Sequence, residues 1–104
     1  MSVHGKIIAE EIEVKLANTW PDYVFEKDYQ LISLEQVKKH IEAEKHLPGM
    51  PSAKEVEENG LALGEMQRLM MEKIEELFLH TIKLNEELLE LKQANEELKS
   101  QIGK

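Results

Sequence analysis

Four histidines, His4, His40, His46 and His80, are the side chains that could bind a metal or move a proton near neutral pH. None stands at a ligand spacing from a carboxylate on one helical face, so they read as solvated or interface groups. The adjacent glutamates Glu57-Glu58 and Glu75-Glu76 could pair for acid–base work. Neighbours on a helix point apart, which makes them solvent-facing charges instead. Ser33 with Lys38, or Ser52 with Lys54, has the elements of a serine–lysine dyad. Each serine also has a partner three residues on, Gln36 and Glu55, and that spacing is a helix-capping box. The five glycines are scattered and form no phosphate loop. Trp20, Tyr23 and Phe25 could form a ligand platform, but packing within a head or between subunits explains them better. The expectation is a non-enzyme with no catalytic residues, no cofactor and no metal.

Length and charge narrow the partners. The chain has 104 residues, room for one small domain whose monomer would bury only a modest core. A formal charge of −8 argues against nucleic acid as the main partner, since phosphate binding needs a basic face. It argues equally against an anionic membrane surface. The absence of cysteine excludes disulfides and thiolate zinc sites. No apolar run reaches the length of a membrane span. Met1 to Lys6 lacks the apolar core of a signal peptide, so any export would rely on a signal outside this chain.

Three zones position these residues. Residues 1–19 form the first. Ile8, Ile12, Val14 and Leu16 alternate with Glu11, Glu13 and Lys15, which predicts a half-buried strand interrupted near Gly5 and Ala9. The same residues, rich in Ala, Glu, Lys and Leu, leave a helix open. A lone strand must pair with the middle of the chain or with copies of itself. Residues 20–61 form a small head. Trp20-Pro21 is an extended dipeptide. A capped helix is predicted from Leu34 to about Lys45, with Leu34, Val37 and Ile41 as its apolar stripe, ending before the "HLPGMPS" turn. A second capped helix opens at Ser52 and closes at Asn59-Gly60.

Residues 62–104 carry the strongest pattern. Heptad position a falls on Ile74, Thr81, Leu88, Asn95 and Ile102, and position d on Met70, Leu77, Leu84, Leu91 and Leu98. Spacing alternates four and three without a break, the mark of a coiled-coil seam. Such a helix cannot stand alone in water, because its apolar stripe needs a partner. Met71, Phe78, Leu79, Ile82 and Leu89 add apolar positions off the seam, and none follows Leu89. The first half should therefore pack inward on copies and outward on the head, with Trp20, Tyr23, Phe25, Phe78 and Ile82 in that packing. The second half should project as a bare coiled coil. Glu87 at g and Lys92 at the next e suit an interhelical pair in a parallel bundle. Asn95 at a suits two strands and the apolar e residues favour three, so the heptads alone leave dimer and trimer open.

The stretch "WPDYVFEKDYQLISLEQVKKHIEAEKHLPGMPSAKEVEENGLALGEM" through "LMMEKIEELFLHTIKLNEELLELK" resembles a C-terminal module of Bacteroidetes tail-fibre-like and cell-surface proteins. The run "HLPGMPSAKEVEENG" followed by "LGEM" is its most specific part, and "GKIIAEEIEV" is similar to the last rung of a β-stalk. More distantly the chain resembles the intramolecular chaperone domain of endosialidase-type phage tailspikes. That resemblance implies a homotrimer, a preceding fibre domain as partner, and an extracellular, cell-surface or virion setting. Cleaving members of that family release themselves through a serine at the domain's start; here "NTWPDYVF" stands at the comparable place, without one. The combined expectation is an α+β, mainly helical protein with an N-terminal strand segment, a small helical head and a parallel trimeric coiled coil. It would act as a non-cleaved chaperone-like clamp. The alternatives are an acidic dimeric adaptor that binds another protein, and a self-cleaving chaperone domain.

Overall fold

The computed structural model describes residues 4–16 and 20–103. Three helices follow one another: α1 (Leu34–Glu44), α2 (Ala53–Asn59) and α3 (Leu63–Ile102). A single 3₁₀ turn at Tyr23–Phe25 precedes them. At a rise of about 1.5 Å per residue α3 is about 60 Å long, and it sets the 77 × 30 × 30 Å dimensions of the chain.

Both capping boxes form. The Ser33 hydroxyl accepts from the Gln36 N–H, and the Gln36 amide oxygen accepts from the Ser33 N–H, each at 3.2 Å. Ser52 and Glu55 repeat the exchange at the same distances. Each box satisfies two backbone donors that a helix start leaves unpaired. Helix α1 stops at Lys45, which takes the left-handed conformation with φ 63° and donates its N–H to Ile41. Gly60, at φ 71°, closes α2 in the region that glycine tolerates best.

The expected strand near the N-terminus is not formed in the single chain. Residues 4–16 contain neither strand nor helix, and no strand occurs among the described residues. The parts of that expectation on residues 1–3 and 17–19 lie outside the described residues. The physical reason is the lack of a neighbour: Ile7, Ile8, Ile12 and Val14 are exposed, and nothing offers a ladder of backbone partners. Only the end of the segment is held. Val14 and Leu16 lie over Gly64 at the start of α3, so closely that a Cβ there would meet Val14 Cγ1 at 2.6 Å and Leu16 Cδ2 at 2.7 Å.

The chain has almost no apolar core of its own. Among the described residues the only buried hydrophobic side chain is Val24, at 2% exposure, beside a fully buried Pro21. The accessible surface is 9375 Å², where a compact monomer of this mass would expose roughly 6,000 Å². The radius of gyration of 20.7 Å compares with about 13 Å for a compact domain of this length.

Candidate functional site: the two faces of the long helix

The head docks on the first half of α3 with a run of polar contacts beside the buried Pro21 and Val24. Arg68 donates through Nε to both carboxylate oxygens of Glu65, at 3.1 and 3.2 Å, and through Nη1 to the Tyr23 hydroxyl at 2.9 Å. That hydroxyl in turn donates to Glu72 at 2.9 Å. Tyr29 donates to Glu76 at 2.5 Å, and Lys73 donates to the other oxygen of Glu76 at 3.0 Å. The two tyrosine rings lie 5.9 Å apart, tilted by 36°. A continuous polar ladder from Glu65 to Glu76 is thus riveted by two tyrosines reaching in from the head.

Heptad phase shows which side of α3 this uses. Arg68 is at b, Glu72 at f and Glu76 at c, the positions opposite the seam. Glu75, at b, lies with Glu76 at only 8% exposure, the two most covered charged residues among those described. This corrects the expectation that Glu75-Glu76 faces solvent. The rule that adjacent helical residues diverge holds, but here both directions are covered by the head. Burial, followed by the neighbouring Asp22 carboxylate and then Glu72, raises the Glu75 pKa. Its Oε1 has no hydrogen-bond partner. Tyr23 and Tyr29 are also raised, first by burial and then by the carboxylates they bond.

The opposite face is bare. Met70, Ile74, Leu77, Thr81, Leu84, Leu88, Leu91, Asn95, Leu98 and Ile102, all ten seam positions, are exposed. Leu77 is 60% exposed although it adjoins buried Glu76. Thr81 donates its hydroxyl to the Leu77 carbonyl at 2.8 Å, so its polar group is already satisfied within the helix. Compared with family models, with curated proteins and with solved structures, the chain matches none. Its function is therefore argued from geometry alone.

Of the side chains expected to pack the head on α3, Tyr23 does so. Trp20 borders a hollow with Val14, Leu16 and Gly64 but stays half exposed. Phe25, Phe78 and Ile82 are exposed, while Met71 and Leu79 of the off-seam apolar stripe are half-buried. Phe78 at e lies beside the seam, away from the b, c and f positions that the head occupies. Tyr29 and the buried glutamates are the functional residues that sequence reasoning missed. The charged row Glu65, Arg68, Glu72 and Glu76 at helical spacing reads as an ordinary solvated face and gave no signal of this burial.

The histidines divide. His40 and His46 meet edge-on with ring centroids 5.2 Å apart, and His46 Nδ1 lies 2.9 Å from the Leu47 carbonyl oxygen. His80 borders an apolar cleft between α1 and α3, and its Nε2, like that of His40, is covered and unpartnered. Among the described residues no three His, Asp or Glu side chains gather into a group able to hold a metal. No described helix is long and apolar enough to cross a membrane.

Proposed function

We propose that the chain is a homotrimerisation and registration module for a fibrous protein, acting as a non-cleaved clamp. The observation that carries this reading is the split along the first half of α3: Glu75 and Glu76 are covered while Met70, Ile74 and Leu77 face outward. A helix that spends its polar side on its own head has its apolar side free for other copies. The excess of exposed surface supports the same view, because a chain whose described residues bury Val24 alone among the large hydrophobic side chains has little to hold it as a monomer.

The mechanism is physical. Fibrous β-stalks must align three chains in register, which is slow and prone to aggregation. Helices close local contacts quickly. Three copies of α3 joined in parallel through a and d would bring three N-terminal segments together at high effective concentration. Ile8, Ile12, Val14 and Leu16 would then find partners in sister chains. The contact of Val14 and Leu16 with Gly64 ties that segment to the start of the coiled coil. The partners under this reading are other copies and a preceding fibre domain, at a cell surface or on a virion.

Sedimentation equilibrium of the isolated chain tests the reading. The expected mass is three times the 12.0 kDa of one chain. A folded monomer at micromolar concentration overturns it. The exposure of Trp20 and Phe25 favours a second reading, a dimeric coiled coil whose head binds another protein. A mass of two chains would select it.

A further inference from the structure

Beside the seam, α1, the turn after it and α3 enclose a cleft of about 90 Å³. Its apolar walls are Ile32, Val37, Leu47, Pro48 and Leu77, with His80 at one end. Nothing in the same chain fills it. Lys73 and His80, both g positions, border it along α3. The ammonium of Lys73 is turned to Glu76, so its stem adds to the walls.

Phe78 has the reverse problem. It is 61% exposed, and it borders a separate hollow on the seam side with Ile74, Leu77 and Thr81. It occupies position e. In a parallel, in-register coiled coil the e side of one helix faces the g side of the next. Phe78 of a neighbour therefore arrives level with residues 77 to 80, between Lys73 and His80. The Glu87–Lys92 pairing, two heptads further on and of opposite charge, needs the same g-to-e alignment.

We propose that the cleft walled by Leu47, Pro48 and Leu77 receives the Phe78 ring of a second copy of this chain. The inference rests on the parallel assembly proposed above and deepens it. Each head becomes part of the interface, clamping its neighbour's helix as well as its own. In a closed threefold ring every cleft is filled and every Phe78 is covered, since the contact is head-to-tail and closes on itself. Head docking and helix association are then coupled: a chain whose head is loose lacks the groove its neighbour needs.

The cysteine-free sequence permits a clean test. Leu47→Cys with Phe78→Cys is placed in one chain, and a short bis-maleimide is applied after the mass in solution has been measured. Ile74→Cys, at a seam position, serves as a separate control for parallel alignment. Inter-chain products on a denaturing gel from the Leu47/Phe78 pair, reaching the full assembly, support the proposal. An assembly whose Ile74→Cys control cross-links while the pair yields no inter-chain product overturns the cleft and leaves the coiled coil standing. A pair linked only within single chains overturns it too. A monomeric mass overturns both. Phe78→Ala gives a second readout: helicity is retained and the concentration for half-assembly rises about tenfold or more.

Discussion

Glu76 and Leu77 are adjacent on α3 and opposite in fate: the glutamate is 8% exposed and the leucine 60%. The Tyr29 hydroxyl and the Lys73 ammonium hold Glu76 against the head. Leu77 only edges the cleft beside α1 and stays largely open. In a self-sufficient helix the two burial values would be exchanged. The head takes the polar side of the helix, and the apolar row from Met70 to Ile102 stays exposed.

The seam should carry the assembly. Leu84→Lys with Leu91→Lys places charges at two successive d positions. Each buried lysine would cost several kcal/mol against leucine. Light scattering is expected to show monomers or disordered aggregates. An unchanged oligomer would refute the heptad assignment.

The tyrosine rivets should stabilise the head without touching the seam directly. Tyr29→Phe keeps the ring and removes the hydroxyl that donates to Glu76. Hydrogen bonds to charged groups contribute about 1.5–3 kcal/mol, and Lys73 still pairs with Glu76, so the cost belongs near the lower end. Tyr23→Phe breaks two contacts, to Glu72 and from Arg68. Arg68 keeps Glu65, however, so the two variants should cost similar amounts. Thermal unfolding followed by Trp20 fluorescence would report the head, and far-UV circular dichroism the long helix. Equal shifts in both signals are expected if head and assembly are coupled through the Phe78 cleft.

What was legible in the sequence was local or periodic. The capping serines Ser33 and Ser52 act on backbone groups two or three residues away, so their role needs no tertiary information. The heptads of α3 repeat often enough to survive any error at one position. Glu75 and Glu76 were illegible because their fate depends on Asp22 and Tyr29, some fifty residues earlier in the chain. The strand expectation at Ile8 to Leu16 rests on period-two alternation, which describes a face to be buried but cannot say whose surface buries it. Phe78 and Ile82 stay exposed, and their expected packing on the head was no more legible, for a related reason: an apolar stripe describes a face to be buried without naming the surface that buries it.

A pH response should centre on Glu75. Its pKa is raised by burial and by Asp22, so the folded state favours the protonated form. The resulting stabilisation is complete below the ordinary glutamate value near 4.3 and is lost as pH rises through the elevated one. Glu75→Gln keeps the shape and removes the charge. It should raise the melting temperature by a few degrees at pH 7, and the gain should vanish as pH falls towards about 4. A variant equally stabilised at both pH values would show that charge is not the cause.

Gly64 sets two effects against each other. Alanine is favoured over glycine inside a helix by about 1 kcal/mol, so Gly64→Ala should strengthen the start of α3. The added Cβ would also meet Val14 Cγ1 and Leu16 Cδ2 well inside contact distance. Both are side-chain ends and can give way, at the expense of the contact that fastens residues 14–16 to the helix. Helicity should therefore hold or rise while the N-terminal segment loosens, seen as faster tryptic cleavage after Lys15. Gly64→Leu cannot be accommodated by small shifts and should release the segment further. If the proposed assembly aligns the N-terminal segments through this contact, the leucine variant keeps its oligomeric mass but loses protection at Lys15. Cleavage at the parental rate in both variants would mean that Val14 and Leu16 are held by something other than Gly64.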